Sequence, residues 1–255
     1  MTPELALATI PGFSNATLSI MLADGPTSTT MLLEHFEAKY VLKIDKPSAR
    51  ELGMDRHAEE VICRMVTAVG LAPELVYIDH SRGISLRRFV SGTNWLESDL
   101  RKSSWLKRLA PLLIKLHSLP AVESQFEPET AITSYAQYLG TAQAKELAEK
   151  ALQLLAKSRQ LQDRSCLCHN DLLNHNILES DKVMLIDWEF AGMGDPWFDL
   201  AIVVQHHGLG EKLGKLFLTA YLQRKPTAKE LDRLWANCEF YASLLELWEL
   251  RLENS

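Results

Sequence analysis

The run CHNDLLNHNILESDKVMLIDWEFAGMGDPWFD, Cys168 to Asp199, decides how the rest of the chain is read. It gathers His169, Asp171, Asn176, Asp187, Asp195 and Asp199 into one short stretch. Between the two halves of that set lies a hairpin pattern: apolar Ile177-Leu178, the polar turn Glu179-Ser180-Asp181-Lys182, then apolar Val183 to Ile186. A short hairpin returns its ends to one another, so Asp171 and Asn176 are expected to approach Asp187. One candidate base and two oxygen ligands would then share a cleft, which suits metal-assisted phosphoryl transfer. Cys166-x-Cys168-His169 offers thiol and imidazole ligands for zinc, but no matching second pair accompanies it. Apolar strand cysteines are the simpler account.

A chain of 255 residues with 47% apolar content can fill one large domain or two lobes. Its charged fraction of 24% argues against disorder, and a formal net charge of −6 lacks the basic footprint of a nucleic-acid binder. That balance is compatible with a cationic partner. Met1-Thr2-Pro3-Glu4 does not open a secretory leader, and no apolar run approaches bilayer length. With four cysteines and no secretory signal, a cytoplasmic protein with reduced thiols is the simplest expectation.

Upstream, Ile10 to Asn15 is a turn cluster, Ala16 to Leu22 alternates as a strand, and Asp24-Gly25-Pro26 marks another turn. Lys39 to Ile44 alternates with Tyr40, Leu42 and Ile44 on one face and Val41 and Lys43 on the other. Helical spacing of Val61, Ile62, Met65, Val66 and Val69 predicts a helix from Ser48 or Met54 to Val69, stopped by Gly70. Leu75 to Ile78 and Ile84 to Val90 read as strands. Ser91 to Asn94 reads as a linker. Beyond it Trp105 to Leu116 traces a helical stripe that Pro111 should bend or shorten, with His117 as a packed or capping residue. One helix is expected over Ala136 to Gln160, weakened at Gly140. Helices from Trp197, over Glu211 to Tyr221 and over Thr227 to Glu253 complete the chain.

H-N-D-x-x-x-x-N followed by I-D-W-E resembles the aminoglycoside phosphotransferase and choline kinase superfamily, whose fold is similar to that of protein kinases. LIDWEFAGMGDPWFDLA looks especially like the bacterial choline kinases of lipopolysaccharide decoration and the bacterial thiamine kinases. The resemblance implies an α+β, bilobal, protein-kinase-like fold. A small strand-rich nucleotide-binding lobe would take residues 1–90, and a mostly helical catalytic and substrate-binding lobe 91–255. It implies ATP and Mg2+ as cofactors. Asp171 matches the catalytic aspartate that orients the acceptor hydroxyl, with His169 bracing its loop. Asn176 and Asp187 match the magnesium ligands, and Asp199 the buried aspartate that holds the loop's backbone amides. Lys43 matches the lysine on the nucleotide's inner phosphates, paired with a glutamate on the next helix. Arg56-His57-Ala58-Glu59 resembles the pattern R-x-x-E, which selects Glu59 over Glu60. Gly12, Ser14 and Asn15 fall where choline-kinase-like proteins carry G-x-S/T-N and would close over the phosphates. Arg87 to Val90 would form the adenine-reading hinge, with Arg88 and Phe89 its candidate contacts.

The acceptor is expected to be a hydroxyl on a small cationic alcohol such as choline or ethanolamine. Trp188, Glu189, Asp195, Tyr241 and Trp248 are the candidates for its aromatic and acidic pocket. Thiamine or an aminoglycoside is the alternative acceptor. A non-catalytic nucleotide-binding protein is the alternative of another class, disfavoured by the intact Lys43, Asp171, Asn176 and Asp187 set. Neither nucleic acid nor membrane insertion is expected, and oligomeric state is not legible.

Overall fold

The computed structural model describes residues 1–51 and 55–254. Contacts within the chain divide it into two units, Met1–Thr93 with Leu178–Glu189, and Asn94–Ile177 with Phe190–Ser255.

The first unit opens with a helix that composition did not announce, α1 (Pro3–Thr9). Its first turn is fixed by the Thr2 hydroxyl accepting from the Leu5 N–H and by Pro3 at the start. Strands β1 (Thr17–Asp24), β2 (Ser28–His35), β3 (Ala38–Asp45), β4 (Leu75–Asp79) and β5 (Ile84–Arg88) form an antiparallel sheet in the order β1-β2-β3-β5-β4. The two-residue period of β3 decides what each face does. Leu42 and Ile44 enter a core with Ala6, Leu7, Ile10, Leu33, Ile84 and Leu86, and Phe13 and Tyr40 pack against it. Lys43 therefore stands on the other face.

Between β3 and β4 come α2 (Pro47–Glu51) and α3 (Arg56–Ala68). The Asp55 carboxylate caps α3 by accepting from the N–H groups of His57 and Ala58. The alternative start at Met54 lies outside the described residues. Glu59, Ile62, Cys63 and Val66 form the buried line of α3, whereas Val61, expected in that stripe, is 44% exposed. Cys63 takes the place in the stripe that Val61 was expected to hold. Gly70, at φ +74°, follows the helix in the left-handed conformation that makes it a stop.

β6 (Thr93–Asn94) leads into the second unit, with α4 (Glu97–Leu100) and α5 (Ser103–Leu116). Pro111 lies inside α5 without shortening it. The single helix expected over 136–160 is two: α6 (Pro128–Leu139) ends at Gly140, φ +63°, and α7 (Ala142–Gln160) begins after the Thr141 cap. Glycine here ends a helix rather than weakening its middle. β7 (Cys166–Cys168) then runs into the opening stretch. The hairpin of β8 (Ile177–Glu179) and β9 (Val183–Leu185) follows, and the Leu185 N–H bonds the Leu71 carbonyl of the first unit's own sheet region at 2.8 Å. A Cβ on Gly92 would collide with the Glu179 carbonyl, which accounts for glycine there.

β10 (Gly192–Gly194) pairs antiparallel with β7. α8 (Pro196–His206), buried from Pro196 to Val204, α9 (Gly210–Leu222) and α10 (Ala228–Glu253) complete the second unit, with α10 packed on α7 and α8 and α9 on α5. A Thr227–Glu230 capping box starts α10. The α+β expectation holds, with an antiparallel strand-rich region followed by a mostly helical one. Among the described residues no helix is long and apolar enough to cross a membrane.

Candidate active site

In the second unit the site is a loop held from beneath. The backbone leaving β7 has no strand partner, so its polar groups need another acceptor. Asp199, fully buried in the first turn of α8, supplies it: Oδ2 accepts from the His169 N–H at 2.9 Å and Oδ1 from the Asn170 N–H at 2.7 Å. His117 Nε2 is 3.0 Å from the same Asp199 Oδ2, and its Nδ1 is 2.8 Å from the Tyr221 hydroxyl. His117 is thus the far end of this clamp, a role no sequence signal indicated. It also leaves neither ring nitrogen spare for a metal held with the neighbouring Cys166 and Cys168, a trio different from the Cys166, Cys168 and His169 set weighed in the sequence.

Asn170 adopts φ +63°, a conformation asparagine tolerates, and its Nδ2 donates to the Phe190 carbonyl at 3.0 Å. His169 is fully buried. Asp171 follows them, and Asn176 reaches back to it. Asn176 Nδ2 donates to the Asp171 carbonyl at 2.8 Å and to Oδ2 at 2.7 Å. Since the amide nitrogen makes both bonds, the amide oxygen of Asn176 keeps its lone pairs for another ligand.

Nearby in the same unit, burial pushes the Tyr241 hydroxyl pKa up, and the negative charges of Asp171 and Glu249 push it further. That hydroxyl lies 2.8 Å from His206 Nδ1. His207, next along, is held to a pKa of about 4, first by burial and then by His206. As pH falls from about 6.5 towards 4, the unfolded chain takes up a proton that the native state refuses, so stability drops across that window. Urea midpoints at pH 7 and pH 5 should differ in the parent, and the difference should shrink in His207→Gln.

In the first unit the site is an ion network. Lys43 Nζ is 2.6 Å from Asp187 Oδ1 and 2.7 Å from Glu189 Oε2. Burial works to strip the ammonium of its proton, but Asp187, Glu189 and Glu59 outweigh it and hold its pKa above the ordinary value. Glu59 is met by Arg56 Nη1 at 2.6 Å and Arg87 Nη2 at 2.9 Å. Burial would raise its pKa, yet the charges of Arg87, Lys43 and Arg56 bring it below the usual range. Arg56 also grips Asp45 through two bonds of 2.7 Å and lies 3.4 Å from Glu189. Asp187 itself adopts φ +64°, a strained position of the kind that gathers at functional sites.

Several expectations are placed differently by these contacts. Lys43 pairs with Asp187 and Glu189, while the expected partner Glu59 is taken by two arginines; Arg87 was read only as part of a hinge. Glu189, expected on the acceptor, is an internal counter-ion that also accepts from the Thr27 hydroxyl at 3.0 Å. Trp188 is buried within the first unit, its Nε1 donating to the Leu185 carbonyl. Asp195 caps α8 through the Trp197 N–H and binds Arg233 Nη2 at 2.8 Å. Trp248 stacks near Tyr135, and the Arg251 guanidinium already lies 5.7 Å from its ring.

Gly12, Ser14 and Asn15 flank Phe13, which packs on His35 and Tyr40 at the α1 face of the sheet, opposite Lys43. The turn from β1 to β2 is the one that reaches the Lys43 side. Lys46 Nζ donates to the Gly25 carbonyl at 2.7 Å, and Thr27 touches Glu189. A single G-x-S-N match carried the first choice, and it did not weigh which face the turn serves. At the hinge, Arg88 lies over Tyr40 and the Phe89 N–H donates to the Lys39 carbonyl at 3.0 Å.

In each unit taken by itself the residue chemistry suits a divalent cation with a phosphate ligand: Asp187 presents a carboxylate oxygen in the first unit, and Asn176 an amide oxygen in the second. Around Lys43 the carboxylates Asp45, Glu59, Asp187 and Glu189 outnumber the cations Lys43, Arg56 and Arg87, leaving a surplus of the sign a cation neutralises.

The first unit thus carries a strand-borne lysine beside the Asp187 carboxylate, and the second an aspartate steadied by an asparagine five positions on. Residues 22–240 match the phosphotransferase enzyme family, and the chain belongs to it. It is 28% identical over 207 residues to Protein LicA of Haemophilus influenzae, a match covering 77% of this chain and 60% of the relative. In fold it is similar to choline kinase LicA from Streptococcus pneumoniae, with a TM-score of 0.79 and 21% identity over 93% of this chain and 86% of the other. A structure of LicA in complex with AMP gives a TM-score of 0.79 at 20% identity, covering 94% and 86% of the two chains.

Proposed function

We propose that this phosphotransferase moves the γ-phosphate of ATP to the hydroxyl of a small cationic alcohol of the choline or ethanolamine type. The observation that carries the chemistry is the Asn176–Asp171 contact on a loop whose backbone Asp199 holds. Asp171 would accept the acceptor hydroxyl's proton as the new O–P bond forms. Lys43 would turn from its carboxylates to the inner phosphates, and the turn Gly25–Thr27 would cover them with backbone amides and the Thr27 hydroxyl. Asn176 and Asp187 would hold Mg2+, which when bound neutralises phosphate charge.

Nucleotide handling would fall to residues 1–90 and acceptor binding to 91–255. Similarity to choline kinase LicA of Streptococcus pneumoniae supports the acceptor class. So do the two carboxylates, Asp171 and Glu249, whose fields meet at Tyr241 and favour a positive head group. Four free, buried cysteine thiols suit the cytoplasm.

The test is ATP consumption with choline, ethanolamine, thiamine, homoserine and aminoglycosides as acceptors. Turnover is expected with the first two; bound ATP without turnover on any acceptor would favour a non-catalytic nucleotide-binding protein. Lys43→Met should weaken nucleotide binding about 10- to 100-fold, the scale of one or two lost charge-assisted hydrogen bonds. A fluorescent-nucleotide titration checks this, and unchanged affinity removes Lys43 from the phosphates.

A further inference from the structure

On the outer side of α3 stands a cluster that the phosphotransfer chemistry does not use. His57 and Glu60 lie one turn apart on that helix, and His80 comes from the turn between β4 and β5. One ligand atom from each lies within 4.8 Å of the others. His80 Nε2 is 2.8 Å from Glu60 Oε2, and the His57 and His80 rings stand edge to face with centroids 5.4 Å apart. The geometry points to a divalent transition-metal site of the zinc type, with two imidazoles, one carboxylate and an open position.

Each of the three residues has support of its own. Arg64 donates to Glu60 Oε1 from Nε at 2.8 Å and from Nη2 at 2.6 Å, which aims Oε2 at the histidines. The Asp55 cap fixes the backbone of His57. Asp79 ties the turn that carries His80, accepting from the Ser81 hydroxyl at 2.7 Å and the Arg82 N–H at 3.0 Å. Ligating groups held by outer hydrogen bonds are what a metal site requires. On a tetrahedral zinc, ligand atoms at about 2.0–2.2 Å from the ion sit roughly 3.4 Å apart, so the His80–Glu60 pair would open by only about 0.6 Å. Imidazole in two of three positions selects zinc, nickel or cobalt over magnesium, which prefers oxygen.

An ion here would join α3 to the β4–β5 turn. The same helix presents Arg56 and Glu59 to the Lys43 network from its other side, so occupancy would brace the helix that organises those charges.

The experiment uses the full chain, without any histidine tag and stripped by chelator, titrated calorimetrically with Zn2+ under excess Mg2+. One equivalent is expected to bind and to raise Tm. His57→Ala and His80→Ala, both at exposed positions, should each weaken binding by at least about tenfold and lose the thermal shift. Co2+ should give a visible absorption band in the parent that both variants lack. Absence of binding overturns the site. So does binding that persists unchanged in both variants, which would place the ion elsewhere in the chain.

Discussion

Asp171→Asn is expected to lower kcat by about 10²–10⁴ while leaving nucleotide affinity as in the parent. The substitution keeps the side chain's size, and the new amide oxygen can still accept from Asn176 Nδ2, which now sits 2.7 Å from Asp171 Oδ2. What it removes is the charge and the basicity. An interaction made only as the hydroxyl proton departs appears in kcat rather than in ground-state binding. Single-turnover rates and a nucleotide titration on the same preparation separate the two quantities. Undiminished turnover would take the proton-accepting role away from Asp171.

The larger structural effect belongs to Asp199→Ala. This one carboxylate accepts from two backbone N–H groups and faces His117 Nε2, all with no solvent to replace it. Truncation leaves those buried donors unmatched, at a cost of about 3–5 kcal/mol. For a chain of this length that corresponds to roughly 6–20 °C in Tm. Asp199→Asn retains one acceptor oxygen but turns an NH₂ towards a donor, so its loss should be smaller. Urea unfolding of the two variants orders them, and equal stability of Asp199→Ala and the parent would mean that the loop is held by something else. Turnover should fall with stability, because Asn170 and Asp171 lose the support that places them.

Much of the fold was legible because strong periodicity and punctuation agree with tertiary need. Lys39–Ile44 alternates in sequence and in the sheet, and Gly70 stops a helix where its positive φ is required. The α1 helix was missed because seven residues give too little periodicity, and its evidence is the Thr2 cap and Pro3. Gly140 was misread because the same residue can weaken a helix or end one, and only the left-handed backbone and the Thr141 cap decide between them.

The candidate site was less evenly legible. Asp171, Asn176 and Asp199 stand close in sequence and act within one local arrangement. The partners of Lys43 could not be read in that way. Glu59, Arg56, Arg87, Glu189 and Asp187 are distributed over three segments, and with more than one cation and carboxylate available, pairing depends on packing. Sequence offered Lys43–Glu59; burial of both arginines against Glu59 produced another match. The acceptor candidates are the least legible, since an aromatic or acidic residue in a tail has the same spacing whether it lines a pocket or fills a core. Trp188, held by the Leu185 carbonyl, is the plainest instance.

The first unit is assembled from Met1–Thr93 and a second contribution, Leu178–Glu189, separated by residues 94–177 with helices α4 to α7. On the ribosome these pieces emerge far apart in time, although domains ordinarily fold as units while synthesis proceeds. A nascent chain carrying only the first piece holds Lys43 without Asp187 or Glu189, the two carboxylates nearest its ammonium. Such a buried lysine is then opposed by its own desolvation, and the strands around it gain their full stability only when the β8–β9 hairpin arrives. Completion of this ion network is thereby deferred until the loop bearing Asp171 has already been translated, so the chain acquires its Lys43–Asp187 pair late in its own synthesis.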